Sequence, residues 1–135
     1  MITIIQTDFA LSQYFEEDKL VQINWKKVPK LSLEDYQMVI IKSLEFQEQH
    51  PGKVLNYLSD IRDQGILSPE YRKWFQDVAV PRTVKNGLKM GAVLFDGNVF
   101  QKYYLNNILN FTKTFGIKFK FFSKREEAIE FFRKG

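Results

Sequence analysis

The positions of this chain best equipped for chemistry are a carboxylate at the end of an apolar run, an arginine two residues on and a serine ahead of a proline. All fall within YLSDIRDQGILSPE, residues 57 to 70, which holds Ser59, Asp60, Arg62, Asp63 and Ser68. A second polar turn, FDGN, adds Asp96 and Asn98. A serine near an acid has the make-up of a phosphorylatable switch, and two carboxylates brought together can share a proton. Asp60 and Asp96 are the pair to weigh for that role, since each closes an apolar segment. Nothing completes a catalytic set around them. The single histidine, His50, sits in QHPG, a helix-ending turn, and there is no cysteine. No histidine cluster offers a metal triad, and no GxxxxGK[ST] or GxGxxG loop is present to cradle phosphates. The sequence therefore assigns no catalytic residue, metal or cofactor. Ser68, followed by Pro69, reads as a helix N-cap whose oxygen accepts a backbone N–H, worth about 1 kcal/mol, in preference to a phosphosite.

These residues need elements to hold them. Residues 12 to 17 and 20 to 26 read as two strands of a hairpin, the second alternating Val21, Ile23 and Trp25 with Gln22 and Asn24. The opening TIIQTDF is a further short extended piece. Ser32 with Asp35 three residues on starts a helix over about 33 to 49, and His50-Pro51-Gly52 stops it. VLNYLSD (54 to 60) fits an interior strand. SPEYRKWFQDVAV then opens a helix with Pro69 in its favoured first position, interrupted at Pro81 and closed by Asn86-Gly87. LKMGAVLFD (88 to 96) is a second interior strand, its Gly91-Ala92 leaving room for a helix to pack closely. A helix from about 99 to 115 ends at Gly116. IKFKFF (117 to 122) alternates rings with Lys118 and Lys120, which suit a sheet edge. Ser123-Lys124-Arg125-Glu126 reads as a capping box for the last helix.

Alternation of this kind predicts one α/β domain over residues 1-135, a mixed, mostly parallel sheet of about five strands with an N-terminal hairpin and four helices. In open parallel sheets ligands sit beyond the carboxyl ends of the strands. Asp60, Arg62, Asp63, Ser68, Asp96 and Asn98 are therefore expected to gather on that rim as a ligand-binding site.

Composition narrows the partners. Net charge is +4, but residues 1 to 80 carry 9 Lys+Arg against 12 Asp+Glu, whereas residues 81 to 135 carry 11 against 4. A basic carboxyl part fits an acidic partner or a solvated face. Nucleic acid is disfavoured: in a strand, Lys118 and Lys120 point away from Phe119 and Phe121, so rings and charges form no common stacking platform. Thirteen phenylalanines among 135 residues are aromatic wealth for a core. Tyr71, Trp74, Phe75, Tyr103, Tyr104 and Phe111 exceed what a small core needs and would also line a cleft for a lipid-like ligand. Tyr104 and Phe131 lie off the main apolar stripes and suggest a partner surface or homodimer contact. No leader-like or membrane-length apolar run follows Met1, so a cytoplasmic location without membrane insertion is expected.

The entry hairpin ending in INWK, the strand YLSDIRD followed by SPE, the strand KMGAVLFD and the closing FFSKREEAIEFF together resemble the STAS-like superfamily, the sulfate-transporter and anti-sigma-factor-antagonist (SpoIIAA-like) fold, and in particular its stand-alone bacterial members. The resemblance covers about residues 12 to 135. It implies switching by partner binding, as in some members, or apolar-ligand binding, as in related lipid-carrying proteins. The compact acid-serine-small-glycine motif of phosphorylated antagonists is missing: the corresponding stretch runs Asp60 to Ser68 without it. The expected function is thus a non-enzymatic binding or regulatory module with an unidentified protein partner. A carrier of a small apolar ligand is the alternative, and an unassigned enzyme stands third.

Overall fold

The computed structural model describes residues 1–64, 67–97 and 99–135. Its elements are β1 (Ile2–Gln6), β2 (Ala10–Phe15), β3 (Leu20–Trp25), α1 (Leu33–Gln49), β4 (Asn56–Asp60), α2 (Pro69–Trp74), a π-helical turn (Phe75–Ala79), α3 (Val80–Lys85), β5 (Met90–Leu94), α4 (Val99–Lys113), β6 (Lys118–Phe122) and α5 (Arg125–Lys134). All six strands form one sheet in the order β1-β2-β3-β4-β5-β6. The β1–β2 and β2–β3 pairs are antiparallel, and β3 through β6 run parallel. The expected α/β fold class and mostly parallel sheet are therefore found, with the opening extended piece supplying the sixth strand.

Sequential order has a consequence for layering. Right-handed crossovers between neighbouring parallel strands lay α1, the α2–π–α3 run and α4 over one face. Val21, Ile23, Trp25, Tyr57, Val93, Phe119 and Phe121 project from the strands into that layer. The other face carries Leu20, Leu58, Met90, Ala92 and Leu94, covered by Ala128, Ile129 and Phe132 of α5. Leu58 is fully buried there, and each such side chain stabilises the fold by roughly 1.5–3 kcal/mol.

Local signals set the boundaries with some corrections. Ser32 caps α1, its hydroxyl accepting from Asp35 N–H at 3.0 Å. The α-helix is interrupted ahead of Pro81, as the sequence suggested: a widened turn parts α2 from α3, and helical backbone runs on through it to Lys85. Proline cannot donate to a carbonyl four residues back and its ring clashes there. The π turn relieves this, with Val80 N–H donating to the Phe75 carbonyl five residues back. Gly87, at φ 102, then closes the run, where its N–H donates to Val84 O at 3.0 Å. Ser68 occupies the N-cap position of α2, but its hydroxyl makes no capping bond; its backbone carbonyl accepts from Tyr71 N–H instead. Ser123 is likewise no capping residue: α5 starts one position later with Lys124 as its N-cap, and the Ser123 hydroxyl donates to Glu127 at 3.4 Å.

The space at Gly91 is also used differently from expectation. No helix approaches it. Phe119 from the neighbouring strand fills it, and a Cβ on Gly91 would lie 3.0 Å from Phe119 Cδ2. Gly91→Ala should therefore destabilise the protein by about 1–3 kcal/mol through overpacking in a urea titration, and pairing it with Phe119→Leu should recover most of the loss.

Candidate functional site

The rim forms as the topology requires. Asp60 ends β4, in register with Asn24 of β3 and Leu94 of β5, and Asp96 follows β5 two residues later, exposed, at the same edge. Asp60 is not an open carboxylate. Arg62 clasps it with two side-chain bonds, Nε to Oδ1 at 2.9 Å and Nη2 to Oδ2 at 2.7 Å, and Arg62 N–H adds a third at 3.2 Å. Nη1 of the same arginine donates to Ser123 O at 3.4 Å, which ties the β4 end to the β6–α5 loop. The bond to Asp60 raises the Arg62 pKa. Asp63 is exposed in the following turn, Ser68 is exposed ahead of α2, and Asn98 lies outside the described residues. The rim thus brings Asp60, Arg62, Asp63 and Asp96 to one edge, but its best-placed acid and base already satisfy each other. His50 is exposed, donating from Nδ1 to Phe46 O at 2.8 Å with its ring stacked on Phe46.

The larger opportunity lies under the helices, in two adjoining cavities that share the walls Tyr57, Phe75, Ile108 and Phe119. The inner one, about 60 Å³, lies toward the amino ends of the parallel strands, between Val21, Gly91 and Val54 below and Ile40, Leu44, Ala79 and Val80 above. The rim-side one, about 40 Å³, reaches the strand ends at Ser59, Ile61 and Val93, with Gln64 and Leu67 of the β4–α2 loop at its border. Protein interiors rarely leave voids of this size. Two irregular places border them: Phe119 where it lies against Gly91, and Phe75 and Ala79 of the π turn in the roof.

Polar atoms around the inner cavity are answered from within the protein. Ser12 and Ser43 hydroxyls lie 2.7 Å apart, and Ser43 donates to Val39 O at 2.9 Å. Thr83 donates to Gln47 Oε1 at 2.7 Å, while Gln47 Nε2 reaches Thr83 O at 3.3 Å and Val54 O at 3.4 Å. Thr112 donates to Leu109 O at 3.0 Å. What remains facing the space is apolar.

The rim-side cavity is walled by rings. Tyr36 stacks on Trp25 at 5.1 Å and meets Trp74 edge-on at 6.2 Å. Burial pushes the Tyr57 phenol up to about 12, against a lowering hydrogen bond with Ser59. Burial also raises Tyr36 well above its ordinary value, helped by neighbouring Tyr104 and Tyr57, and raises Tyr104 in the same way. Tyr104, expected on a partner surface, is half-buried and packs its ring against the core beside the rim-side cavity. Tyr103 is the exposed neighbour, at 70 %. Phe131, the other residue expected on a partner surface, is half-buried between Phe122 and Phe132, with Lys120 Nζ 5.5 Å above its ring.

Sequence reasoning passed over Tyr57, Gln64 and Phe119 as site residues. The signal for Tyr57 was present: alternation in NYLSD sends Tyr57 and Ser59 to the helix-covered face, opposite Leu58. Gln64 carried none, since only the loop path brings it to the cavity. Among the described residues no group of three or more metal-ligating side chains occurs, and no helix is long and apolar enough to cross a membrane. Comparison with protein-family models, with curated proteins and with solved structures finds no match.

The buried phenols have a measurable consequence. Raised in the folded state, their stabilising contribution is complete below the ordinary tyrosine value of about 10 and fades as pH rises through the folded value of about 12 for Tyr57. Unfolding by alkali, followed by circular dichroism, should set in above about pH 10. Tyr57→Phe, which keeps the ring and removes the titration, should move the transition to higher pH.

Proposed function

We propose that this chain is a non-enzymatic, cytoplasmic binding module of STAS-like fold whose ligand is a small apolar molecule held between the sheet and its three covering helices. The observation that carries the reading is the pair of adjoining cavities with common walls, in which the inner wall presents no unanswered polar group. Neither cavity alone matches the roughly 150 Å³ that admits benzene into an engineered protein interior. Phe75, on the widened turn, borders both and is one of the walls that divide them. A flexible, narrow molecule fits such a space better than a rigid ring system.

A regulatory role through a protein partner at the strand-end rim has weaker support. Asp60 and Arg62 form a closed pair there, and the phosphoacceptor motif of switching relatives in the resembled superfamily is missing from Asp60 to Ser68. The same feature weakens the enzyme reading, because a carboxylate matched to a guanidinium has no counterpart with which to share a proton.

Native mass spectrometry of freshly purified protein should show a retained small molecule or, after stripping, saturable uptake of octanol. Methyl NMR should place the octanol-induced shifts at Val21, Ile40, Leu44 and Ile108. Ala79→Leu fills the inner cavity and should reduce octanol affinity at least about tenfold, while raising the stability of the empty protein by up to about 1 kcal/mol, in line with the usual cost per unit of cavity volume. Arg62→Ala should leave uptake unchanged and cost about 1 kcal/mol, since the arginine end of the pair it breaks is solvent-exposed while Asp60 is partly sheltered. Bare protein that takes up no octanol would remove the basis of this reading.

A further inference from the structure

The two cavities differ in how their polar borders are satisfied. Around the inner one every hydrogen-bonding side chain just described has a partner, whereas one donor on the border of the rim-side cavity, and a second stacked on one of its wall residues, have none. Gln64 Nε2 and Arg72 Nε are both shielded from solvent, and neither meets an acceptor among the described residues. Gln64 borders the cavity directly. The Arg72 guanidinium rests 5.3 Å above the ring of Tyr104, which forms part of the same wall. No carboxylate pairs with Arg72 in any of the ion pairs among the described residues. A shielded N–H without an acceptor is costly, and a shielded guanidinium nitrogen more so. One on the border of the void and one stacked on its Tyr104 wall point to an acceptor that arrives with the occupant.

The kind of acceptor follows from the charges. One guanidinium and one amide N–H suit a head with two oxygens and a single negative charge. Among the described residues no lysine borders either cavity, and Arg72, stacked on the Tyr104 wall, is the one cation the wall contacts show, so a doubly charged phosphate would lack full compensation. The Tyr36, Tyr57 and Tyr104 hydroxyls carry their protons at neutral pH, as any phenol does, so this wall is rich in donors. We propose that the ligand is a straight-chain carboxylate, its head held beside Gln64 and Arg72 in the rim-side cavity and its alkyl chain passing Phe75 into the inner cavity. The proposal rests on the apolar-ligand reading above and specifies the polar end that reading leaves open.

Octanoate, octanol and octyl phosphate share one chain and differ in head, so calorimetric titration of the full-length protein at neutral pH separates the two claims. Octanoate should bind at least about tenfold more tightly than octanol, the usual gain of a charge-assisted hydrogen bond, and more tightly than octyl phosphate. Arg72→Met, which keeps an unbranched stem over Tyr104, and Gln64→Leu should each bring the octanoate-to-octanol ratio toward one. Should either variant fail to fold, NMR of the unaltered protein still decides: the methylene next to the octanoate carboxylate should show nuclear Overhauser contacts to the Tyr104 ring, and the terminal methyl to Ile40 or Leu44. Equal binding of octanoate and octanol, tightest binding of octyl phosphate, a ratio insensitive to both substitutions or a reversed chain direction would each overturn the carboxylate assignment while leaving the apolar cavity reading intact. Failure of all three ligands to bind would end both.

Discussion

The layout of this protein depends on one constraint, the hand of the crossovers between neighbouring parallel strands. With β3, β4, β5 and β6 paired in chain order, each connection must turn the same way, so every connecting helix lands on the same face. One face then receives three helical layers and most of the aromatic side chains, and the other receives only α5, the helix that follows the last strand. A doubly wound order would have split the helices and shared the rings between two thinner cores. Here the rings accumulate on one side, which is why the interior space lies there and why the opposite face closes over small and aliphatic side chains such as Ala92, Leu94 and Ala128.

Within that layer two breaks in regularity lie at the cavity walls. Proline at position 81 deprives the second connecting helix of a donor and forces a wider turn at Phe75–Ala79. Glycine at position 91 removes a side chain from β5, next to the edge strand, and Phe119 fills the space. Each change is local and has an ordinary steric cause. Their effects meet at the same place, because Phe75 and Phe119 both border the two cavities. Close packing normally eliminates such coincidences, and their persistence beside buried donors gives the interior its functional interest.

Electrostatics divides the molecule along the same line. At the carboxyl edge of the sheet, charges answer each other: Arg62 with Asp60, and on the outer surface Arg82 with Glu48 and Arg133 with Asp18. On α2, Arg72 has an aromatic ring in place of a carboxylate. The contrast shows why charge alone was a poor guide to the site. Polar residues collect at every strand end for reasons of solvation, and only the pairing geometry separates those already occupied from those still open.

Much of the architecture was legible in the linear order of residues, because it depends on local periodicity and turn chemistry. Alternating Val21, Ile23 and Trp25 declared β3, Ser32 with Asp35 declared the start of α1, and Lys118 and Lys120 marked β6 as the edge strand that it is. The sharing of one edge by Asp60 and Asp96 followed from the parallel pairing those signals implied. Other features were decided only when distant segments met. Ser68 holds a cap position without the capping bond, helical backbone runs on through the widened turn to Lys85, Tyr104 packs against the core while Tyr103 faces solvent, and the room at Gly91 goes to a ring from the next strand. Periodicity records which face of an element is apolar, but a cavity is a mismatch between the shapes of several faces. That mismatch exists only after the sheet and its helices have closed on one another.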